Sequence, residues 1–396
     1  MRILFVTAHV LSGEIGSGGE IVWTELARRW QACGHEVSLL VPETAAAAYA
    51  AAVHPASVVL LPHSWLDDPR WYFGHPLRIA IVYLLRSLRV PRLLGHVGAE
   101  IFYTPGDFWC DVLPTALFRR RSPSVLWAAA VFHVNASPLF RRGNSLGASI
   151  LSFLAQRASF VLLKRFADVI FALNTDVRAA LLRRGFTPER VRVLGAGVDT
   201  QKFSAAPQWP KQYAACFLGR INPTKGVFDL PEIWAQVKRV LPDRRLLIIG
   251  KASAAWERQL AAAIRDTGVA DLVEYRGFVS PAEVVAGLAS SSLLLAPSTE
   301  EGFGISIAEA MACGLPVVAY DLPAYREFFP QGMTRVPVGD RRAFAAAIIR
   351  LLTDKTFYRE QCQAAVATVA RYDWDRVAAK EFDIIKRARV GEKAMW

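Results

Sequence analysis

The chain has no cysteine pattern that would staple it. Its five cysteines, at 33, 110, 216, 313 and 362, stand singly, are odd in number and never form a Cys-x-x-Cys pair. That argues against a disulfide framework or a cysteine-based zinc site, and it fits thiols kept reduced in a cytosolic compartment. No uninterrupted apolar run reaches the roughly 18 residues of a spanning helix. The stretch 124–132 is too short, and 44–66 is broken by His54, Pro55, Pro62 and His63. The opening MRILFVTAHV carries one basic residue and no cleavage site, so it reads as a first strand, not a signal peptide. No repeat of solenoid period occurs, and the short alanine run at 45–48 is the only low-complexity stretch. Acidic residues are scarce in one region. Between Arg70 and Arg165, thirteen Lys or Arg face only Glu100, Asp107 and Asp111, so this segment supplies +10 of the formal +12. Twelve of the thirteen are arginines, interleaved with Trp71, Tyr72, Phe73, Phe118 and Phe140. Such a surface suits anionic lipid, an acidic acceptor or nucleic acid.

What is present is apolar material for two cores. The 396 residues are 53% hydrophobic, and a chain of this length ordinarily divides in two. Short apolar runs recur near the start and at 36–41, 58–61, 100–104, 124–132, 168–173 and 191–195, with helical stretches between them. They predict a parallel sheet covered on both faces, a first Rossmann-like domain over 1–205. A second series, at 213–219, 245–250, 272–277, 292–297 and 316–320, predicts a second doubly wound domain over 206–375. The stretch SAAPQWP at 204–210 reads as the linker. Beyond about 341 the pattern turns helical, ending in a helix over 376–396. The expected fold class is therefore α/β with two doubly wound Rossmann-like domains.

The most informative stretch is 297–318, PSTEEGFGISIAEAMACGLPVV. Gly302 and Gly304 permit a tight loop, and a helix from Ile305 is expected to end near Gly314. At 100° per residue Ile307, Ala310, Met311 and Gly314 share one side, and Glu309 lies roughly opposite among Ala308, Ala312, Cys313 and Ser306. A lone carboxylate among small residues reads as a surface kept clear for a ligand, or else as plain solvated helix. The amides opening that helix favour an anion such as a diphosphate. Upstream, FLGR at 217–220 followed by Lys225 and Gly226 sets two cations at the exit of a strand. Each alone is commonly solvated, but together they can converge on two phosphates.

The runs Glu301-Gly-Phe-Gly304, Glu309-Ala-Met-Ala312 and Gly314-Leu-Pro-Val-Val318 resemble the signature of the GT-B glycosyltransferases, in particular retaining family 4. The resemblance implies two domains facing a central cleft, with the last helix crossing back onto the first. It implies a nucleotide-diphosphate sugar as donor and a glycan or lipid-linked acceptor. Glu309 would bind the ribose hydroxyls. Glu301, with Gly302, Phe303, Gly304 and Ile305, would orient the transferred sugar, and Arg220 and Lys225 would neutralise the departing diphosphate. Gly18 and Gly19, in a loop before Gly34-His-Glu-Val37, fit the family's looser glycine pattern facing the substrates; a flexible turn is the other reading. The dinucleotide fingerprint is not met, because Ile21 stands where its third glycine belongs. His133 matches a family histidine near the transferred sugar, although a histidine at a strand end is also commonly structural. His9 and His35 are weaker candidates, and Asn174 departs from the family's usual serine.

No metal and no other cofactor are expected. Asp373-Trp-Asp375 matches a metal signature as text, but it precedes a helix, where Asp373 reads as N-cap and Asp375 as first-turn charge. Arg78, Arg86, Arg89 and Arg92 fall on one arc of a helix over 77–92, opposite Ile, Val, Leu and Tyr. That helix is either an ordinary surface helix or one that docks on an anionic membrane, together with the rest of 70–165. A cytoplasmic enzyme, peripheral on the inner face of the membrane, follows as the expectation. The rivals are a sugar-nucleotide epimerase of the same fold, a non-catalytic nucleotide-sugar or membrane-binding partner, and a nucleic-acid binder. The last supplies no recognisable module, so no nucleic acid is expected. Residues 62–76 and 105–123 are the expected acceptor contacts.

Overall fold

The computed structural model describes all residues except 12, 14, 66, 67, 69–74, 136–145, 206–209 and 391–396. Most of the expected linker lies outside the described residues, as do Arg70, Trp71, Tyr72, Phe73, Phe140, Arg141 and Arg142 of the basic region. The chain divides into two units, Met1–Gly195 with Asp375–Trp396, and Ala196–Trp374.

In the first unit, β1 (Arg2–Val6), β2 (Glu36–Pro42), β3 (Ser57–Leu61), β4 (Ile101–Thr104), β5 (Leu126–Val131), β6 (Val169–Ala172) and β7 (Val191–Val193) form one parallel sheet in the order 3-2-1-4-5-6-7. These strands are apolar almost throughout because helices bury both faces of a parallel sheet. Ile3 pairs with Val37 on one side and Ile101 on the other. The order therefore reverses between β1 and β4, and the carboxyl ends there form the topological switch point.

The last helix, Trp374–Val390, belongs to this unit. Trp30 donates its Nε1–H to Ala378 O at 2.9 Å, and His35 stacks on Phe382 at 4.0 Å. Tyr103 donates its hydroxyl to the buried Glu381 at 2.6 Å. Burial pushes the Glu381 carboxyl up to about 8, with the Tyr103 hydrogen bond pulling the other way. Its unfolded counterpart titrates near 4.3. The protonated form is favoured in the fold, so its contribution to stability is full below the unfolded value and is lost as pH rises through about 8. Denaturant unfolding between about pH 5 and 8 is expected to show stability falling with pH. Glu381→Gln should flatten that slope; an unchanged slope would exclude Glu381 as its source.

The helix Pro76–Leu94 departs from the sequence expectation at Arg86 and on its apolar side, while Arg78 and Arg92 are exposed as expected. Arg86, expected on an exposed basic arc, is 1% exposed and donates to Ala8 O at 2.6 Å and Val10 O at 2.7 Å. Leu77 (72% exposed), Ile81, Leu84 and Leu88 face outward instead. Val82, Ser87, Val90 and Leu94 fill the inward face. A guanidinium with two carbonyls to satisfy outweighs the wheel average, since burying it unpartnered would be costly. The neighbouring helix Leu146–Phe166 has 21 residues and holds an 18-residue window of mean hydropathy 1.5, enough by length and composition to cross a bilayer. Gln156 and Arg157 interrupt its apolar run in sequence, and one of its apolar faces is turned outward. Leu146, Ile150, Leu154 and Val161 are exposed, whereas Gln156, Ser159, Phe160 and Leu163 pack inward.

In the second unit, β8 (Ala215–Leu218), β9 (Leu246–Ile249), β10 (Val273–Tyr275), β11 (Leu294–Ala296), β12 (Val317–Tyr320) and β13 (Met333–Val336) form a parallel sheet in the order 10-9-8-11-12-13. β13 was not expected: its four residues include Thr334 and Arg335, so it carries no apolar run. The switch point lies between β8 and β11. The chain's two fold-level expectations, α/β class and two doubly wound sheets, agree with this architecture.

Candidate active site

Lys225 and Glu301 meet at the carboxyl edge of β8 and β11, and Arg220 follows the end of β8. Asn222 closes the turn Pro223–Lys225 by accepting from Lys225 N at 3.1 Å. Gly226 follows at φ 64°. A Cβ on it would stand 1.8 Å from Pro297 O, so only glycine lets this turn lie against the loop leaving β11. Thr299 N donates to Thr224 O at 2.9 Å and ties the two loops together. The outcome is an ion pair between Lys225 Nζ and Glu301 Oε2, both mostly shielded from solvent. Arg220 is exposed, with no hydrogen bond or ion pair among the described residues. The edge therefore presents one cation engaged with a carboxylate and one guanidinium with its donors unspent.

Gly304, at φ 104°, opens the helix Ile305–Ala312 with no side-chain cap. Ile307 N donates to Gly304 O at 3.0 Å, and the amides of Ile305 and Ser306 remain available, as the switch-point geometry favours for an anion. Phe303 is not a ligand contact through its ring. It is buried against Phe328, Phe329 and Tyr372, with centroids 4.8, 5.3 and 5.3 Å away, and anchors the loop. What it offers a ligand is its backbone. Gly302 and Ile305 are half-buried on either side.

The face around Glu309 also differs from expectation. Ala308 and Ala312 are buried rather than clear surface, because the helix packs against Lys355–Val369 and Thr200–Ser204. Small side chains serve here to let helices approach. Glu309 itself is half-buried, and its carboxylate makes no hydrogen bond among the described residues. Burial lifts its carboxyl to about 7, opposed by the charge of Lys202. A carboxylate desolvated and lacking a hydrogen-bond partner is suited to accept from a ligand's hydroxyls.

The remaining candidates lie in the first unit. Gly18 and Gly19 are not loop residues but the first two of the helix Gly18–Ala32, with Ser17 as N-cap in a capping box with Glu20. A Cβ on Gly19 would press on the Phe132 ring at 3.2 Å, so packing beside β5 accounts for that glycine. His133 is exposed at the carboxyl end of β5. Asn174 caps the helix Thr175–Leu182, accepting from Val177 N at 2.8 Å. Asp373 accepts from the backbone N–H and hydroxyl of Thr200, and Asp375 pairs with Arg29 at 2.8 Å. Among the described residues, no three or more His, Cys, Asp or Glu gather to hold a metal.

One pair was undervalued from sequence. His9, at the end of β1, meets Asp111 with Nδ1 to Oδ2 at 2.6 Å. The two are 102 residues apart, and nothing local marks them; only their positions after adjacent strands could have raised the pairing.

A family model described as Glycosyltransferase Family 4 matches residues 16–202, and one described as Glycosyl transferases group 1 matches 199–368. The phosphatidyl-myo-inositol mannosyltransferase of Mycobacterium leprae is 34% identical over 192 residues, 46% of this chain and 50% of that one. The GDP-mannose:cellobiosyl-diphosphopolyprenol alpha-mannosyltransferase of Xanthomonas campestris is 28% identical over 222 residues, 55% of this chain and 58% of its own. The chain thus spans about half the length of the curated relatives it matches. Among solved structures, sucrose-phosphate synthase from Thermosynechococcus elongatus superposes with a TM-score of 0.76 at 18% identity, covering 99% of this chain and 100% of that one. HepE from Anabaena, in complex with UDP and glucose, superposes with a TM-score of 0.75 at 18% identity, covering 98% and 99%.

Proposed function

The chain belongs to the GT-B glycosyltransferases resembling family 4, and from that premise we propose that it moves a sugar from a nucleotide-diphosphate donor to a hydroxyl of a lipid-linked or cell-envelope glycan acceptor. Transfer proceeds with retention at the anomeric carbon and without a metal. The observation that carries the reading is the Lys225–Glu301 pair at the β8/β11 switch point, with Arg220 unengaged just after β8. Arg220, Lys225 and the amides opening Ile305–Ala312 meet the charge that develops on the leaving diphosphate. Glu301 orients the sugar, and Glu309 accepts from the ribose hydroxyls. Two of the relatives are named for mannosyl transfer to inositol lipid and to diphosphopolyprenol-linked cellobiose. They support a lipid-linked acceptor here.

The test is turnover of GDP-mannose and UDP-glucose, with phosphatidylinositol vesicles as acceptor, read as release of the nucleoside diphosphate. Release from neither donor, with no binding of GDP or UDP, would sink the proposal. Calorimetry adds a pH signature. Glu309 titrates at about 7 in the fold, and its ionised form is the better acceptor for hydroxyls. Nucleotide affinity is expected to rise as pH climbs through about 7 and to weaken below it. Glu309→Gln should remove the step that the nucleotide's own ionisation does not explain. An identical profile in that variant would take the ribose role from Glu309.

We place the enzyme at the inner face of the cytoplasmic membrane. The outward stripe of Leu77, Ile81, Leu84 and Leu88, with that of Leu146, Ile150, Leu154 and Val161, gives the first unit an apolar surface. Exposed Arg92, Arg120, Arg121, Arg157, Lys164 and Arg165 lie on the same group of helices. Apolar insertion plus attraction to anionic headgroups suits peripheral docking. Sedimentation is expected to show phosphatidylglycerol vesicles binding more than phosphatidylcholine ones, with the difference shrinking as salt rises. Leu84→Glu with Leu88→Glu should lower binding by about tenfold. Equal binding to neutral vesicles, or no change in the double variant, would count against docking.

A further inference from the structure

Tyr325 carries a hydroxyl that the second unit buries without a partner, and we propose that it is the reserve donor of Glu301, taking over that carboxylate when a diphosphate draws Lys225 away. Tyr325 is thus a positioning residue, acting through Glu301 and not on the substrate. This rests on the glycosyl-transfer reading and deepens it.

Tyr325 lies on the short helix Pro323–Phe328, which follows β12. That helix and the loop leaving β11 are packed as one piece, because Phe303 of the loop sits against Phe328 and Phe329, with centroids 4.8 and 5.3 Å away. The tyrosine itself is wholly buried. Its backbone is bonded in the ordinary way, with N donating to Leu322 O at 3.0 Å and O accepting from Phe329 N at 3.0 Å. Its hydroxyl is not, and reaches no partner in hydrogen-bond geometry among the described residues. Ser298, also buried, faces it from the loop, and the charge of Glu301 bears on it. Burial first, and that charge second, hold the phenol well above its usual range, against a smaller pull from Ser298. The group therefore stays a neutral O–H, a donor close to a carboxylate that already has a cation.

A buried donor without an acceptor costs stability, and phenylalanine would fill almost the same space without that cost. Such a group calls for a second arrangement in which it is used. The Lys225–Glu301 pair supplies one. Both side chains are mostly shielded from solvent, so an anion that takes Lys225 leaves Glu301 desolvated and short of a partner. A carboxylate stranded in that way is expensive, and the expense would be charged against binding of the anion. Tyr325 holds the donor which that state lacks. Its O–H turns to the Glu301 carboxylate as Lys225 turns to the diphosphate, and only hydrogen bonds are exchanged. The carboxylate stays ionised and where the loop set it, while its former cation neutralises phosphate.

The test is a two-by-two set of full-length chains, wild type, Tyr325→Phe, Lys225→Ala and the double variant, read by melting and by calorimetry with GDP and UDP. Against wild type, Tyr325→Phe is expected to melt no lower, since it removes a donor that bonds nothing. Against Lys225→Ala, where Glu301 has lost its cation and holds the tyrosine instead, the same change should lower melting by about 2–4 °C. A loss of melting temperature in wild type as large as in Lys225→Ala, or no loss in either, would overturn the proposal. Nucleotide affinity reads the exchange directly. Tyr325→Phe is expected to weaken the Kd for GDP or UDP about tenfold where Lys225 is present, and by less than about threefold where alanine replaces it. Weakening of one size on both backgrounds marks a merely structural tyrosine and refutes the exchange, as does no weakening on either. If wild type binds neither nucleotide, the transfer reading has failed, and the melting comparison alone then decides whether Tyr325 backs Glu301.

Discussion

Lys225→Ala and Glu301→Ala are each expected to reduce turnover by about 100-fold or more, while leaving the fold almost as stable as before. The two side chains meet across neighbouring strands, 76 residues apart, and each keeps roughly a fifth of its surface in solvent. A pair so placed contributes little net stability, on the order of 1 kcal/mol or less. On the proposed reading its effect on turnover is larger, because a fixed charge aimed at a departing diphosphate stabilises the transition state more than the ground state. Losing about 100-fold corresponds to about 2.7 kcal/mol of that stabilisation. The two measurements separate the roles. A fall in kcat with an unchanged melting temperature supports electrostatic catalysis; a fall in melting temperature with near-wild-type turnover would reduce the pair to a structural strut. The double variant should cost far less than the product of the singles, since the two residues act as a unit.

Gly226→Ala is expected to be a strongly damaging single methyl in the second unit. The residue sits at φ 64°, where alanine pays about 1–2 kcal/mol for the left-handed backbone. Its new Cβ would lie 1.8 Å from Pro297 O, a backbone atom that cannot swing away as a side-chain tip could. The turn and the loop must part, which breaks the Thr299 N to Thr224 O bond and separates Lys225 from Glu301. A loss of about 3 kcal/mol is expected, lowering the melting temperature by roughly 10 °C, with nucleotide binding weakened as well. Gly268→Ala is the matched control. Gly268 has a similar φ of 68° but no atom within 4 Å of a Cβ, so it should show the backbone cost alone. Equal effects at the two sites would mean that the contact with Pro297 has no energetic weight.

Much of the architecture was legible because parallel strands buried on both faces leave a strong local mark. Runs such as RILFV and VVAY announce themselves, while β13, with Thr334 and Arg335 in four residues, does not. Glu301, Lys225, Arg220 and Glu309 could be singled out as candidates for a similar reason, since each sits in a short run with few free positions. Their surroundings were not. A wheel placed Arg86 on an outward basic arc, although two backbone carbonyls hold it inside. The same reasoning took Ala308 and Ala312 for open surface, although other helices cover them.

By itself, then, the amino-acid order determined most of the alternation of strands and helices and which side chains to single out as candidates, because those depend on spacing within one element. Tertiary structure alone decided that Lys225 meets Glu301, that His9 meets Asp111, and that the apolar stripe of Pro76–Leu94 faces outward. Crossovers bring strands distant in sequence side by side, so the neighbour of each strand end is a property of the whole sheet. No local period encodes it.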